Sequence, residues 1–354
     1  VPRRLGALRR TLWAVSNGPD AGDHQEKLTA SRDILGGLLA AMKSETPNAL
    51  TPPRLDTSKV ECCHRFDGLA RPGSILPLSR RGGVGICGTM QSRLRDKWVL
   101  ITGASSGIGA AAARAFGAAG ARLLLGARRV DRLEQVAAEA RQAGALEARV
   151  HGLDVSRTLS VEQFMTWAGE QIRGDQPDNR HLHVLVNNAG GAYGLDPVAE
   201  GKDADWETMF QTNVLGILRM TRAALPLMRE APGGVILNIG STAGREAYAG
   251  GAAYCAAKAG ELQITRALRL ELCGTGLRVG SVDPGLAETE FSMVRFKGDA
   301  ARAKKVYEGL QPLTAEDIAE AIVWAASRPP HVCIDELLIK PTDQASMHRM
   351  HRRT

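Results

Sequence analysis

Seven short apolar runs alternate with helical patterns along the chain from about Asp96 onward. A run that is apolar on both faces is typical of a strand buried within a parallel sheet. The predicted strands are residues 98–101, 121–126, 148–153, 182–186, 235–239, 277–282 and 336–339. The predicted helices are residues 110–119, 130–142, 160–171, 205–228, 254–272 and 315–327. This alternation predicts a single doubly wound α/β domain with a parallel sheet of about seven strands.

Residues 1–89 lack such a pattern. They contain several prolines and end in a glycine-rich stretch, Gly82-Gly83-Val84-Gly85, so we expect a disordered N-terminal extension. Two alternatives are an organelle transit peptide, against which the interspersed acids Asp20 and Asp23 argue, and a start of translation at Met90. The expected organisation is therefore an extension at 1–89, the domain at 90–347 and a basic tail at 348–354.

Composition changes this picture little. The net charge is +7, but the first 91 residues hold 13 Lys and Arg against 8 Asp and Glu, so the domain itself is nearly balanced. We therefore expect a small-molecule substrate, with neither nucleic acid nor a membrane as partner. The six cysteines have no metal-ligand spacing, and no run of 18 apolar residues exists. These observations predict no metal site, a reducing compartment and a cytoplasmic location.

The first predicted strand runs into the glycine-rich loop Thr102-Gly103-Ala104-Ser105-Ser106-Gly107-Ile108-Gly109, and an alanine-rich helix follows. Glycines at this spacing let the backbone turn tightly and approach a pyrophosphate, whose charge the helix N-terminus stabilises. The alternative is a strand-to-helix turn that binds nothing, but the strand before and the helix after favour a dinucleotide. Ser105 can add a hydroxyl to a phosphate or only cap the turn.

The second predicted strand ends in Ala127-Arg128-Arg129. A site for NAD places an acid at this strand end to bind the ribose 2′-hydroxyl, whereas a 2′-phosphate requires an arginine. Here the acid is absent and two arginines follow, which favours NADP. The alternative is a pair of solvated arginines at the start of a helix.

Three other strand ends carry candidate cofactor-binding residues. Asp154 can receive an adenine amino group or cap the next helix. Asn187-Asn188-Ala189-Gly190 lies where a parallel sheet opens a crevice, although two asparagines after a strand commonly form only a turn. Thr289, which follows Pro284-Gly285, can bind a nicotinamide carboxamide or cap a turn.

The main candidates for chemistry are Tyr254 and Lys258, which are four positions apart and so lie on one helix face, about one turn apart. The cation favours the ionised phenol, and a phenolate near neutral pH needs a pKa shift of roughly 2 to 3 units, or about 3 to 4 kcal/mol. Ser241, after the fifth strand, can hydrogen-bond the same substrate oxygen. Asn213, inside a predicted helix, can hold a water near the lysine or make a structural hydrogen bond. This arrangement is typical of a proton-transfer device.

Together these motifs resemble the short-chain dehydrogenase/reductase family, from Met90 onward. The matching features are the glycine-rich loop, the Asn-Asn-Ala-Gly motif, Asn213, Ser241, the Tyr254 to Lys258 pair and Pro284-Gly285. The resemblance implies a Rossmann fold in which Tyr254 is the general acid/base, Lys258 lowers its pKa and holds the nicotinamide ribose, Ser241 orients the substrate oxygen and Asn213 supports a relay water. It also implies a homotetramer.

Within the family, the stretch 290–299, Glu-Phe-Ser-Met-Val-Arg-Phe-Lys-Gly-Asp, looks like the substrate loop of NADP-dependent 3-hydroxy acid dehydrogenases. This likeness implies serine, L-allo-threonine or 3-hydroxypropionate (oxidised to malonic semialdehyde) as substrate. Arg295 and Arg245 are candidate partners for the substrate carboxylate, or else solvated arginines. The other hypotheses are a reductase of another carbonyl, such as a sugar, steroid or acyl-carrier ketone, and a cofactor-sensing protein without catalysis.

Overall fold

The computed structural model describes residues 93–174, 179–229, 231 and 233–353. The predictions about residues 1–89, namely the disordered extension, the transit peptide and the start at Met90, lie outside the described residues.

The fold is built on a seven-stranded parallel sheet in the order β3-β2-β1-β4-β5-β6-β7. The strands are β1 Trp98–Thr102, β2 Arg122–Ala127, β3 Glu147–Gly152, β4 Leu182–Asn187, β5 Val235–Ile239, β6 Arg278–Pro284 and β7 Glu336–Ile339. The predicted doubly wound α/β fold is confirmed. The strand order changes direction between β1 and β4, and ligands of such sheets bind in the crevice at this point, beyond the carboxyl ends of the strands.

Nine α-helices are found in the described residues: α1 Gly107–Ala118, α2 Val130–Ala143, α3 Thr158–Arg173, α4 Asp203–Phe210, α5 Gly216–Met228, α6 Ala252–Glu271, α7 Phe291–Arg295, α8 Ala300–Lys305 and α9 Ala315–Ala326. Within these residues, no helix has both the length and the apolar character needed to cross a membrane.

Both faces of the sheet are covered, as continuous apolar strands require. Side chains alternate along each strand, so Val99 and Ile101 pack on one face with α1, α2 and α9, while Trp98 and Leu100 pack on the other with α3 and α5. The five residues of β1 are all buried. Burial on both faces explains why the strands appear in the sequence as unbroken apolar runs.

The largest difference from the predicted elements lies in residues 205–228, which we expected to form one helix. They belong instead to α4, a π-helical turn at Gln211–Leu215 and α5. The side-chain amide of Asn213 donates to the carbonyl oxygens of Met209 (2.8 Å) and Gly191 (2.9 Å) and thereby fixes this wider turn to a neighbouring loop. The predicted helix is therefore present, but it contains a wider turn that the local periodicity does not predict.

The C-terminal segment, predicted as a basic tail after Met347, folds back onto the domain. Gln344 forms an isolated bridge with Met350, and the backbone N–H of Arg353 donates to Gly309 O at 2.7 Å. Met347 and Met350 also line the main cavity described below. The predicted boundary at Met347 thus falls within a folded segment.

Candidate active site

A cavity of about 420 Å³ lies at the carboxyl ends of β1, β4, β5 and β6. It brings together most of the predicted site residues, which are Gly103, Ser106, Gly107, Ile108, Asn188, Ala189, Gly190, Ser241, Tyr254, Lys258, Pro284, Gly285, Thr289 and Arg295. The predicted residues that do not line it are Ser105, Gly109, Arg128, Arg129, Asp154, Asn213 and Arg245. The strand ends therefore gather residues from across the sequence into one crevice, as the fold predicts.

The glycine-rich loop has the geometry of an anion cradle. Helix α1 begins at Gly107, and its N-cap residue Ser106 makes no side-chain capping bond, so the first N–H groups of the helix remain available to a ligand. Gly103 (φ 66°) and Gly107 (φ 53°) adopt left-handed conformations that favour glycine. A Cβ at Gly109 would lie 2.5 Å from Gly103 O, which excludes a side chain there. These residues fit the pyrophosphate of a dinucleotide.

Thr102 joins this loop to the Asn188 loop. Its buried hydroxyl accepts the backbone N–H groups of Asn188 (3.0 Å) and Ala189 (2.9 Å), and the Asn188 side-chain amide donates to the carbonyl oxygens of Thr102 (2.9 Å) and Gly103 (3.2 Å). Asn188 therefore shapes the wall of the cavity through backbone contacts. Thr102 can be recognised in the sequence because it places a hydroxyl at the end of an otherwise apolar strand.

The two predicted arginines occupy different positions. The Arg129 guanidinium donates to Ser106 Oγ at 2.7 Å and to Ser105 Oγ at 3.3 Å, beside the glycine-rich loop. It also pairs with Glu290 at 3.0 Å, and Arg132 pairs with the same carboxylate at 2.5 Å. Arg128 is exposed and has no hydrogen bond or ion pair in the described part of the chain. The arginines at the loop are therefore Arg129 and Arg132.

Beside the glycine-rich loop, the charges of Arg129, Arg132 and Glu290 are engaged in ion pairs with one another. Burial is the largest single influence and disfavours the Glu290 carboxylate, but the hydrogen bonds and charges of Arg129 and Arg132 together outweigh it and lower the pKa of Glu290. Arg132 was not among the predicted residues, although it follows Arg129, the N-cap residue of α2, by three positions. Two cations that share one exposed carboxylate can exchange it for another anion.

Two further candidates make local hydrogen bonds. The Asp154 carboxylate accepts the backbone N–H (3.0 Å) and the hydroxyl (2.6 Å) of Ser156, so it closes a turn before α3. Thr289 lines the cavity, and its hydroxyl also accepts the N–H of Phe291 at 3.2 Å. The bond of Thr289 to Phe291 matches the turn-capping alternative that the sequence left open. The Asp154 side chain does not cap α3, whose N-cap residue is Arg157.

Tyr254 and Lys258 both project from α6 and are both almost fully buried, at 8% and 7% exposure. The Lys258 ammonium donates to Ile239 O at 2.7 Å and to the carboxylate of Glu261 at 2.7 Å. Burial disfavours the ammonium, but the neighbouring Glu261 and Tyr254 outweigh this effect and raise the pKa of Lys258. Lys258 is therefore a cation close to the phenol. Glu261 was not among the residues predicted from the sequence.

Ser241 follows β5 directly and lines the same cavity. Its Oγ accepts the N–H of Ala243 at 3.1 Å, which leaves the hydroxyl proton free to be donated to a ligand. Asn213 lies behind the cavity wall and accepts the N–H of Gly191 at 3.1 Å. A Cβ on Gly190 would lie 2.6 Å from Asn213 Oδ1 and 3.7 Å from Lys258 Nζ, so both side chains crowd this glycine.

The two arginines proposed for a substrate carboxylate differ in their surroundings. Arg245 pairs with Asp283 and Glu336 and does not line the cavity. Arg295 lines it, and its guanidinium carbon lies 5.4 Å from the centre of the Tyr254 ring. It also donates to Gly194 O at 3.1 Å and to the hydroxyl of Tyr248. Arg295 is thus the arginine that faces the phenol.

A family model described as short chain dehydrogenase matches residues 97–300. The chain belongs to this family. The NADP-dependent 3-hydroxy acid dehydrogenase of Schizosaccharomyces pombe (strain 972) is 43% identical over 263 residues, which cover 74% of this chain and 99% of that protein. Sulfoacetaldehyde reductase 2 of Chromohalobacter salexigens is 44% identical over 250 residues, 70% of this chain and 95% of that protein. The family resemblance drawn from the sequence motifs is confirmed.

A solved structure of the family has the same fold. A closed form of serine dehydrogenase complexed with NADP+ is 39% identical, has a TM-score of 0.64 and covers 73% of this chain and all of that chain. In the present protein, the cavity wall also includes Phe291 of the predicted substrate loop and four residues that were not predicted for the site, namely Tyr248, Tyr307, Met347 and Met350. These four residues come from loops and from the C-terminal segment, where the sequence carries no recognisable spacing.

Proposed function

We propose that this protein is an oxidoreductase that transfers a hydride between NADP and a short 3-hydroxy acid of the serine, L-allo-threonine or 3-hydroxypropionate type. The observation that carries the proposal is the cavity in which Ser241, Tyr254 and Lys258 meet the glycine-rich loop on one side and Arg295 on the other. The names of the relatives, which include NADP-dependent dehydrogenases of 3-hydroxy acids, support the cofactor and the substrate class.

In this proposal, Tyr254, Ser241 and Lys258 each have a separate role in the reaction. Bound NADP supplies or accepts the hydride. During reduction of a carbonyl, the Tyr254 hydroxyl donates its proton to the substrate oxygen, and Ser241 donates a hydrogen bond to the same oxygen. The Lys258 cation stabilises the phenolate that remains. In the oxidative direction, the phenolate of Tyr254 removes the proton from the substrate hydroxyl.

The cofactor would lie between the strand ends and the loops. The N-terminus of α1 would hold the pyrophosphate, and Arg129, with Ser105 and Ser106, would hold the 2′-phosphate. Arg132 adds a second cation at this position. Arginine is preferred over lysine in such a role because its planar fork matches phosphate oxygens in pairs.

Arg295 selects an acidic substrate in this proposal. Its Nε and Nη2 are occupied by Gly194 and Tyr248, and Nη1 has no hydrogen-bond partner among the described residues, so it can bind a carboxylate. The stacking of its guanidinium on Tyr254 and Phe291 fixes its direction. In this proposal, a substrate whose carboxylate lies two bonds from the reacting carbon would contact Arg295 with its carboxylate and Tyr254 with its reacting oxygen.

The test is a panel of substrates with both cofactors. Serine, L-allo-threonine and 3-hydroxypropionate should be oxidised with NADP, and matched alcohols without a carboxylate should react at least about 100-fold more slowly in kcat/KM, the loss expected for one charged contact of about 3 kcal/mol. Arg295→Met should remove this preference, whereas Arg245→Met should retain it. A preference for neutral ketones would favour the reductase of another carbonyl instead.

Sulfoacetaldehyde belongs in the same panel as a second candidate substrate. A guanidinium binds a sulfonate as well as a carboxylate, and one relative is named a sulfoacetaldehyde reductase. If the protein bound NADPH but turned over none of these compounds, the non-catalytic cofactor sensor would become the better hypothesis.

A homotetramer and a cytoplasmic location stay predictions. The tetramer is supported by exposed apolar side chains at the end of α4 and beside Asn213, namely Phe210, Leu215 and Leu218, and by the small residues Ala256, Ala257, Ala259 and Gly260 of α6. Light scattering on the purified chain measures the assembly directly.

A further inference from the structure

Glu261 is a buried carboxylate on the same face of α6 as the two main candidates for chemistry. It is 1% exposed, and one oxygen, Oε2, accepts a hydrogen bond from Lys258 at 2.7 Å. Its other oxygen, Oε1, has no hydrogen-bond partner in the part of the chain that the structure describes. The family motif does not include this position, and nothing above assigns it a role.

Burying a carboxylate at the position of Glu261 is energetically unfavourable. A buried carboxylate loses its hydration, and a buried ion pair regains this energy only when its geometry is good and its remaining lone pairs are bonded. Replacing a buried ion pair by apolar residues of similar size is often neutral or stabilising, so the packing of α6 does not by itself require a carboxylate here. The charge of Glu261 therefore acts on something specific, and the group in contact with it is Lys258.

We propose that Glu261 is a positioning residue that sets, through Lys258, the pH at which Tyr254 loses its proton. A carboxylate in contact with the ammonium offsets part of the positive field at the phenol, so the phenol keeps its proton to higher pH than it would beside lysine alone. Carbonyl reduction needs a protonated phenol, so the charge of Glu261 extends the reductive reaction to higher pH. This inference rests on the proposed function.

The charged groups around the pair are few. Lys258 and Tyr254 come from α6 itself, Asp283 approaches from β6 with its partner Arg245, and Arg295 and Tyr248 face the phenol across the cavity. Burial raises the pKa of Glu261 to about 7, although Lys258 opposes this shift. Above about pH 7 the carboxylate is thus mostly charged and acts on the ammonium in contact with it.

The test replaces Glu261 by Gln, which keeps the size of the side chain and removes its charge. The pKa of Tyr254 should fall by about one pH unit, as expected for one charge at roughly 10 Å in a medium of intermediate polarity. The falling limb of the reductive kcat/KM profile and the rising limb of the oxidative profile should both move to lower pH by this amount. Glu261→Asp, which keeps the charge, should stay close to the parent, and Glu261→Leu should follow Gln.

A titration without substrate separates this inference from the proposed function. The phenolate absorbance of the NADP+ complex, with Tyr254→Phe as the blank, reports the same pKa directly. A downward shift in Glu261→Gln supports the inference even if no 3-hydroxy acid is turned over. An unchanged phenolate pKa in both Glu261→Gln and Glu261→Leu, with only a loss of rate, would overturn it and leave Glu261 a structural residue.

Discussion

The charged side chains at the two ends of the site differ in their exposure to solvent. At the proton-transfer end, Lys258 and Glu261 are buried together, and their side chains are 8% and 1% exposed. At the cofactor end, Arg129, Arg132 and Glu290 form ion pairs at the surface, with side chains 41 to 46% exposed. The first pair lies within one helix, α6, and the second group joins the start of α2 to the residue before α7, which is distant in the sequence.

This difference separates fixed charges from exchangeable ones. A buried charge cannot be screened by water, so it shifts the pKa of its neighbours and keeps its geometry through the reaction. An exposed pair contributes little to stability, and an incoming phosphate can replace its carboxylate. We infer that Glu290 occupies the place of an anion beside Arg129, whereas Glu261 is a permanent partner of Lys258.

The largest expected effect is at the buried end. Tyr254→Phe removes the only proton donor of the mechanism and keeps the ring, so turnover should fall by roughly 10³-fold or more while NADPH affinity changes by less than about threefold. Steady-state kinetics and a fluorescence titration of NADPH measure the two quantities. Tyr248→Phe, at a cavity residue that contacts Arg295, is the matched control and should lose much less. Unchanged turnover in Tyr254→Phe would remove Tyr254 from the mechanism.

The next effect concerns stability and its dependence on pH. Lys258→Met leaves Glu261 buried without its counter-charge, which should lower the free energy of unfolding at pH 8 by about 3 kcal/mol. Because burial raises the pKa of Glu261 to about 7, its contribution to stability is fully present below the unfolded pKa of about 4.5 and is lost as the pH rises through 7. The loss caused by Lys258→Met should therefore be smaller at pH 5 than at pH 8.

Urea unfolding at both pH values measures this loss. The double variant Lys258→Met with Glu261→Leu is the control, since it removes both charges and should recover most of the stability at pH 8. Equal destabilisation of the single variant at the two pH values would show that the Glu261 charge is not responsible.

A smaller effect is expected at the exposed end. Arg129→Ala should raise the KM for NADP by roughly 10- to 100-fold and leave the KM for NAD nearly unchanged, because only NADP carries the 2′-phosphate. Arg128→Ala, at the adjacent exposed arginine, should have a much weaker effect. Kinetics with both cofactors decide the matter, and equal losses with NADP and NAD would dismiss the assignment of Arg129.

Glu290→Gln is a control for which the expected change in NADP affinity is opposite to that of Arg129→Ala. It removes the carboxylate that pairs with Arg129 and Arg132, and NADP affinity should rise by roughly two- to fivefold, the range of a surface ion pair. A fall in affinity would mean that Glu290 orders the two arginines for the cofactor and does not compete with it.

The sequence alone determined the parallel α/β fold, the family, the glycine-rich loop and the shared helix face of Tyr254 and Lys258. These features are local, because a strand buried on both faces must be apolar along its length and four residues make about one helical turn. The features that were not predicted from the sequence lie where distant segments meet. Asn213 in the π-helical turn contacts Gly191, and the pairing of Arg245 with Asp283 and Glu336 joins three separate segments.

Tertiary structure also decided that Arg129 and not Arg128 faces the loop, that the C-terminal methionines line the cavity and that Glu261 is buried against Lys258. The helical spacing of Lys258 and Glu261 is visible in the sequence, but it does not say which face of α6 the sheet covers. The pKa of Glu261 is raised because packing excludes water from its carboxylate, and packing is a property of the assembled fold.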